Sequence, residues 1–252
     1  MKFKAFFIFA IIGAIFSSAE TANETFLSNP SSGEITDPSL LAKIVSKFAD
    51  KIDWGNLARY ADANAELEKL PAGSNEVIFI GASVIDYWSK NGVFFPGKPY
   101  VNRGIGGQIT GQCLIRFRAD VINLKPKAVV ILVGSNDLLY SVPSRVMQEN
   151  IISMVELARA HGIKVVLASL PPVCGSVVDM RPPAKIMEYN LWMKGYAEKA
   201  GVVFLDFYNS PLLGSDGLLR QDLSVDCLHP NAAGYEVMTP LSEDAIRKAL
   251  AQ

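Results

Sequence analysis

Histidine is the scarcest residue that could act as a base in this chain. There are two histidines among 252 residues. His161 precedes a glycine at the end of a helix-period stretch, where a cation and a glycine favour a helix C-terminus. His229 lies three residues after Asp226, in Asp-Cys-Leu-His-Pro-Asn, which suits an exposed loop better than a helix. We therefore predict His229 as the base, with an incidental surface histidine as the alternative.

Three more loops contain residues suited to acyl transfer. Ser83 follows the apolar run 77–80, where a serine serves either as a helix N-cap or as a nucleophile. Segment 102–107 contains three glycines, whose N–H groups can approach a ligand closely. Asn136 follows another apolar run, where its amide either binds an oxyanion or forms an Asx turn. Together with Asp226 and His229, these residues supply the parts of an acyl-transfer site.

The glycine-rich segment does not fit a dinucleotide-binding fingerprint. After Gly104 and Gly106, the third glycine position is occupied by Ile109, and the expected acidic residue further on is missing. The sequence also contains no Cys-x-x-Cys zinc signature, so these motifs predict neither a dinucleotide nor a metal site. A net charge of −1 argues against nucleic acid as a partner.

Apolar runs alternate with helix-period stretches from residue 71 onward. The runs are short and mostly β-branched, as in strands buried on both faces, and they cover 77–80, 128–133, 163–170 and 202–205. Helices are predicted over about 108–124, 143–161, 182–200 and 231–250. This alternation predicts a mainly parallel sheet between two helical layers, a three-layer α/β/α sandwich. Ligands bind such sheets at the carboxyl ends of the strands, which is where the loops above lie.

The N-terminus predicts export. Two lysines in residues 1–4 precede the apolar run 5–16, and small residues follow at 17–19. This is the pattern of a secretory signal peptide cleaved after residue 19. The apolar run is shorter than the roughly 20 residues needed to span a bilayer, so a retained membrane anchor is the weaker alternative. We expect a secreted or periplasmic protein.

The remaining chain divides into three regions. Residues 20–37 are rich in small polar residues and predict a flexible leader. Residues 38–70 predict two short helices broken near Gly55, and residues 71–252 predict the α/β domain.

Cysteine usage is compatible with one disulfide and one free thiol. The three cysteines, Cys113, Cys174 and Cys227, are too few and too widely spaced for a disulfide scaffold. The sequence leaves their pairing open.

The four loops resemble, in their order along the chain, the SGNH (GDSL-type) esterase and lipase family. The matching blocks are Ile80-Gly81-Ala82-Ser83, Asn102 to Gly107, Gly134-Ser135-Asn136-Asp137, and Asp226 to His229. The resemblance runs from about Asp53 to the C-terminus. It implies a flavodoxin-like α/β/α sandwich and a carboxylic-ester hydrolase without cofactors.

The resemblance also implies a role for each site residue. Ser83 would be the nucleophile, His229 the general base and Asp226 the residue that orients the ring. The oxyanion hole would consist of the N–H groups of Ser83 and Gly107 and the side chain of Asn136. The substrate of this chain would be a small-molecule or carbohydrate ester, and the first candidate is an O-acetyl group on carbohydrate. A lysophospholipase or a thioesterase is the alternative within the enzyme class.

One position departs from the family pattern. The first block usually reads Gly-Asp-Ser, whereas this chain has Ala82 before Ser83. We expect lower rigidity of the loop or altered specificity, with a non-catalytic binding protein on the same fold as the alternative. Asp86, about one helical turn beyond Ser83, is a candidate to replace the missing charge.

Overall fold

Five parallel strands form the centre of the computed structural model, which describes residues 52–252. The strands are β1 (Val77–Gly81), β2 (Tyr100–Gly104), β3 (Ala128–Leu132), β4 (Lys164–Ala168) and β5 (Val203–Leu205). Their order in the sheet is β2-β1-β3-β4-β5, and every neighbouring pair is parallel. The chain thus changes direction across the sheet between β1 and β3. In flavodoxin-like sheets of this order, ligands bind outside the carboxyl ends of the strands at that point.

Helices connect the strands and close the chain. They are α1 (Ala61–Leu67), α2 (Ser83–Asp86), α3 (Trp88–Asn91), α4 (Thr110–Phe117), α5 (Ser135–Leu139), α6 (Ser144–Ala160), α7 (Val177–Met180), α8 (Pro183–Ala200) and α9 (Ala232–Leu250). A π-helical turn, Arg118–Ile122, extends α4, and 3₁₀ turns occupy Leu57–Tyr60 and Gln221–Leu223. The four long helices lie where the helical periodicity of the sequence predicts them.

Each face of the sheet has its own apolar core. Ile78 belongs to the core that also contains residues of α4, α6 and α8. Phe79, the next residue in β1, belongs to the other core, with residues of α2, α3 and α9. Neighbouring strand residues point to opposite faces, so a strand buried on both sides supplies both cores. The three-layer α/β/α prediction is confirmed.

The edge strand β2 corrects the sequence-based assignment. The sequence pattern predicts a loop over residues 102–107, but the first residues of this segment form the end of β2. Tyr100, Val101 and Asn102 are only half-buried in this strand, while Arg103 and Gly104 are buried. An edge strand mixes polar and apolar side chains, so it lacks the continuous apolar run of the central strands.

Several sequence-based predictions concern residues outside the described range. These are the signal peptide over 1–19, the leader over 20–37 and the first of the two helices in 38–70. The second helical segment is present as the 3₁₀ turn at Leu57–Tyr60 followed by α1. Within residues 52–252, no helix has both the length and the apolar composition needed to cross a bilayer.

Candidate active site

Ser83 lies at the carboxyl end of the central strand β1. Gly81 ends the strand, and a Cβ there would lie 2.1 Å from the carbonyl oxygen of Leu132 in β3, so no larger residue fits. Ala82 follows in a buried position, and Ser83 is the first residue of α2. The first N–H groups of a helix have no partner within the helix. The turn therefore presents both the hydroxyl and the N–H of Ser83 beyond the end of the sheet.

His229 links Ser83 to Asp226. The Nε2 atom of His229 lies 2.8 Å from Oγ of Ser83, and its Nδ1 atom lies 2.7 Å from Oδ2 of Asp226. The other oxygen of Asp226 accepts the backbone N–H groups of Leu228 at 3.1 Å and of His229 at 2.8 Å. A hydroxyl, an imidazole and a carboxylate in this order can remove the hydroxyl proton and stabilise the imidazolium that forms.

The environment of Asp226 favours its ionised form. Partial burial acts to raise the pKa of this carboxyl, but hydrogen bonds from the His229 ring and backbone outweigh it and hold the pKa below its usual value. The ring of Tyr87 packs against that of His229, with 4.9 Å between the ring centroids and the two planes tilted by 50°. The imidazole thus contacts both a carboxylate and an aromatic ring.

Gly107 lies in the loop between β2 and α4. Its φ of +82° is in the region that favours glycine. Its N–H donates to no group in the part of the chain that the structure describes. The preceding N–H, of Gly106, donates to Oδ2 of Asp86 at 2.9 Å. Arg59 and Lys90 each lie 3.6 Å from the other oxygen of this carboxylate. Asp86 therefore fixes the loop at the residue that precedes Gly107.

Asn136 lies in the first turn of α5, directly after β3. Its side chain is buried, and Nδ2 donates to the carbonyl oxygen of Gln108 at 3.0 Å. The next residue, Asp137, accepts the N–H of Thr110 at 3.0 Å and the hydroxyl of Thr110 at 2.6 Å. Burial raises the pKa of Asp137, against the lowering effect of these hydrogen bonds. Two adjacent side chains thus connect the loop after β3 to the loop that contains Gly107.

A buried arginine connects the carboxyl ends of β1 and β2. Arg116 donates to the carbonyl oxygen of Gly81 in β1 at 2.9 Å and to that of Arg103 in β2 at 2.8 Å. It forms a buried ion pair with Asp120 at 2.7 Å. Hydrogen bonds to two strand ends from one planar group fix the spacing of the loops that follow them.

A small apolar cavity of about 20 Å³ lies beside Ser83. Apart from Ser83 and its neighbours in the chain, its walls come from the ends of β3 and β4, from the segments and helices that follow them, and from the turn of Asp226 and His229. They include Leu132, Val133, Ser135, Leu170, Val173, Ile186 and Leu228. A cavity of this volume holds about one water-sized group.

The cysteine pairing that the sequence leaves open is resolved in the structure. Cys174, in the loop after β4, forms a disulfide with Cys227, between Asp226 and His229. The N–H of Cys174 also donates to the carbonyl oxygen of Cys227 at 3.0 Å. Cys113 is a buried free thiol. The turn that contains Asp226 and His229 is therefore covalently attached to the loop after β4.

The second histidine is far from this chemistry. His161 is the C-cap of α6, it is exposed, and its Nδ1 atom lies 2.8 Å from the carbonyl oxygen of Leu157. The capping role predicted from the sequence agrees with this position. Among the described residues, no group of three or more His, Cys, Asp or Glu side chains is arranged to hold a metal ion.

The predicted site residues and the unpredicted ones occupy the same edge of the sheet. The structure places Ser83, His229 and Asp226 in one hydrogen-bonded chain. It joins Asn136 to the loop of Gly107 through Gln108. Sequence reasoning missed Tyr87, Arg116 and Arg181, because no motif distinguishes these residues from other aromatic or basic ones. Arg181 donates to the side-chain oxygen of Asn136 at 3.1 Å.

Comparison with known proteins assigns the family. Residues 84–237 match the GDSL-like Lipase/Acylhydrolase family. A solved structure of a proposed acylhydrolase from Bacteroides fragilis is 40% identical, with a TM-score of 0.72 over 78% of this chain and 98% of that one.

Two curated relatives are similar over shorter regions. The uncharacterized lipoprotein YqeF of Bacillus subtilis is 39% identical over 79 residues, 29% of this chain and 32% of the relative. The esterase TesA of Pseudomonas aeruginosa is 30% identical over 135 residues, 53% of this chain and 62% of the relative. The chain thus spans less than two thirds of the length of either relative. With the match to the family over residues 84–237, the chain belongs to the GDSL-like lipase/acylhydrolase family, a family of ester hydrolases, as its four sequence blocks predict.

Proposed function

We propose that this protein is a serine carboxylic-ester hydrolase that acts through an acyl-enzyme intermediate. One observation carries the proposal: Oγ of Ser83 lies 2.8 Å from Nε2 of His229, and Nδ1 of that ring lies 2.7 Å from Asp226. Both distances are within hydrogen-bonding range. A nucleophile, a base and a residue that orients the base are thereby in contact before any substrate binds.

The reaction follows the chemistry of these groups. Oγ of Ser83 attacks the ester carbonyl carbon while its proton passes to Nε2 of His229, and Asp226 stabilises the imidazolium. The alcohol leaves with that proton, and the acyl group remains on Ser83. Water, deprotonated by His229, then attacks the acyl carbon and releases the carboxylic acid. The N–H groups of Ser83 and Gly107 and the Asn136 amide are the proposed donors to the oxyanion in both steps.

The dimensions of the apolar cavity support a short acyl group. A cavity of about 20 Å³ beside Ser83 accommodates the methyl group of an acetyl ester, and its walls are mostly side chains of the buried core. A long acyl chain would require these walls to move, which a close-packed core resists. We therefore propose acetyl esters as the preferred substrates.

A second cavity supports a hydroxyl-rich alcohol as the leaving group. It has a volume of about 410 Å³, and its lining combines Leu218 and Leu219 with polar side chains, which are Ser215, Asp216, Arg220, Gln221 and Asp222. Cys174 connects it, through the disulfide, to the turn of Asp226 and His229. Polar groups along such a groove suit the hydroxyls of a sugar, so O-acetyl groups on carbohydrate are the proposed natural substrate. A lysophospholipid or a thioester is the alternative.

Ala82 is the observation that favours a different function, a non-catalytic binding protein on the same fold. Its side chain is 6% exposed, so the carboxylate usual at this position is replaced by a buried methyl group. Asp86 is a charged group that compensates, because it accepts the N–H of Gly106 in the neighbouring loop. This contact is why hydrolysis remains our first proposal.

Export is proposed from the sequence pattern of residues 1–19. The similarity to a lipoprotein of Bacillus subtilis supports a location outside the cytoplasm. A disulfide within the described chain also suits an oxidising compartment.

Two measurements test the proposed activity. A fluorophosphonate probe should label the protein at Ser83, and p-nitrophenyl acetate should be hydrolysed faster than the butyrate or the octanoate. Ser83→Ala should lose both labelling and turnover. Ser153→Ala is a matched control, because in the described part of the chain its hydroxyl donates to the helix carbonyl of Glu149 and to no other group. Release of acetate from acetylated xylan tests the carbohydrate. Absence of labelling in the unchanged protein would favour the binding protein.

A further inference from the structure

Arg181 is a buried cation beside the proposed oxyanion hole. It lies between α7 and α8, in the segment that follows β4, and is 4% exposed. Its Nε atom donates to the hydroxyl of Ser135 at 2.9 Å and to the carbonyl oxygen of Ser135 at 3.2 Å. Its Nη2 atom donates to Oδ1 of Asn136 at 3.1 Å. Among the described residues, Arg181 forms no ion pair with a carboxylate.

Burial of the Arg181 guanidinium without an opposite charge lowers the stability of the fold, so stability does not account for its position. Burial lowers the pKa of Arg181, which reflects the loss of water around the charge. A guanidinium nevertheless stays protonated in proteins, so the cost of desolvation remains. Buried charges are usually paired with an opposite charge, and Arg181 has neutral oxygens instead. Costly groups of this kind concentrate at functional sites.

The two hydrogen bonds of Asn136 determine how its carboxamide is oriented. The carbonyl oxygen of Gln108 can only accept a hydrogen bond, so it requires the amide nitrogen of Asn136 on its side. The guanidinium of Arg181 can only donate, so it requires the amide oxygen on the other side. A flipped carboxamide would place donor against donor and acceptor against acceptor. The second N–H of Nδ2 is then left for a ligand.

The backbone around Arg181 supports a fixed position for the guanidinium. The N–H of Arg181 donates to the carbonyl oxygen of Val177 at 2.9 Å, which closes α7. Pro182 and Pro183 follow and begin α8. Each proline fixes its own φ, and each restricts the residue before it. The segment therefore has little conformational freedom between two helices.

From these contacts we propose that Arg181 is a positioning residue for hydrolysis: it holds the Asn136 carboxamide in the orientation that directs an N–H group at the oxyanion. The proposal rests on the proposed function, since it assigns a role within that reaction. Arg181 touches neither the nucleophile nor the base in the structure. It acts on the reaction through Asn136. Its effect should fall on kcat, because an oxyanion forms only after the substrate is bound.

A double-mutant cycle on p-nitrophenyl acetate tests this role. Arg181→Met should lower kcat about 10- to 100-fold and change KM less than about twofold. Asn136→Ala should lower kcat by a similar or larger factor. In the Asn136→Ala background, Arg181→Met should change kcat less than about threefold, because the side chain that it positions is already absent. The pH dependence of kcat should be the same in all four proteins.

Further variants separate positioning from folding. Arg181→Lys retains the buried charge and one donor to Oδ1 of Asn136, so it should recover part of the kcat lost in Arg181→Met. Thermal unfolding will show whether Arg181→Met folds. If it does not, Arg181→Lys is the variant that tests the role. Arg247→Met is the control, since that side chain is 75% exposed at the end of α9, and it should leave kcat unchanged.

The outcomes distinguish this role from the proposed function. An unchanged kcat in Arg181→Met, or the same fold-loss with and without Asn136, would overturn the positioning role while the unchanged protein still hydrolyses esters. A protein without turnover or fluorophosphonate labelling would instead refute the proposed function, and the role of Arg181 with it.

Discussion

Both oxygens of the Asp226 carboxylate contact His229. Oδ2 lies 2.7 Å from Nδ1 of the ring, and Oδ1 accepts the backbone N–H of the same residue at 2.8 Å. One side chain thus orients the imidazole and also closes the turn that contains it. Since the pKa of Asp226 is held below its usual value, the carboxylate stays ionised through the pH range in which a histidine accepts protons.

The two functions of Asp226 predict different effects for two substitutions. Asp226→Asn retains an oxygen for the backbone N–H groups but places an amide against Nδ1, which favours the wrong tautomer. We expect kcat to fall about 100-fold or more, with little change in thermal stability. Asp226→Ala should lose a comparable activity and also unfold at a lower temperature, because the turn loses its acceptor. Equal unfolding temperatures for the two variants would contradict a structural role in the turn.

The two histidines predict opposite outcomes for the same substitution. His229→Ala should reduce turnover of p-nitrophenyl acetate to near background, because no other described imidazole contacts Ser83. His161→Ala should retain nearly full activity, since within residues 52–252 this ring is hydrogen-bonded at the end of α6 alone. Its loss should change stability by less than about 1 kcal/mol, the scale of a charge at a helix C-terminus. An inactive His161→Ala that unfolds normally would reverse the assignment.

The sequence predicts this fold well where one physical signal dominates. The central strands are buried on both faces, so their apolar runs are continuous, as in Ala128–Leu132. The long helices each present one apolar side to a core, so their periodicity is visible. The edge strand Tyr100–Gly104 carries neither signal, because one side of it is partly exposed and it ends in a glycine that packs on α2.

The candidate site shows the same division. Ser83, Asn136 and His229 are recognisable because each follows a strand or precedes a helix within a known block. The contact of Arg181 with Asn136 spans 45 positions along the chain, and that of Asp86 with Gly106 spans 20. Such contacts depend on how the loops meet at the carboxyl edge of the sheet, which a single sequence does not specify. The cysteine pairing was open for the same reason.

Because of the disulfide, we expect activity and stability to depend on whether the protein is oxidised or reduced. Cys174 and Cys227 are 53 positions apart, and a crosslink over such a loop stabilises a folded protein by about 4 kcal/mol in the chain-entropy picture. Reduction should lower the unfolding temperature and also kcat, since the crosslink attaches the turn of His229 to the loop after β4.

A double variant is the control for reduction. Cys174→Ser with Cys227→Ser should resemble the reduced protein and should not respond to reductant. Burial raises the pKa of the remaining thiol, Cys113, which makes it unreactive. If reduction lowers the unfolding temperature and leaves kcat unchanged, the crosslink contributes stability alone.

We expect Asp86 to replace the carboxylate that is usual before Ser83. Asp86→Ala frees the N–H of Gly106 and removes a carboxylate that is 11% exposed. We expect kcat to fall about 10-fold or more, because the neighbouring N–H of Gly107 loses its fixed position. Asp244→Ala is the matched control, since that carboxylate pairs with exposed cations on α9. Equal activity in both variants would leave the loop held by other contacts.

Ile186 should limit the size of the acyl group, because its buried side chain forms part of the cavity beside Ser83. Ile186→Val removes one methylene from that wall and should cost about 0.5–1.5 kcal/mol of stability. A methylene in an apolar pocket is worth about 1–3 kcal/mol in discrimination, so the ratio of kcat/KM for propionyl over acetyl esters should rise about 10-fold. Ile246→Val removes the same group from the core on the opposite face and should leave the ratio unchanged. A ratio that stays constant in Ile186→Val would mean that the acyl group binds elsewhere, and the proposal of acetyl esters would lose its structural basis.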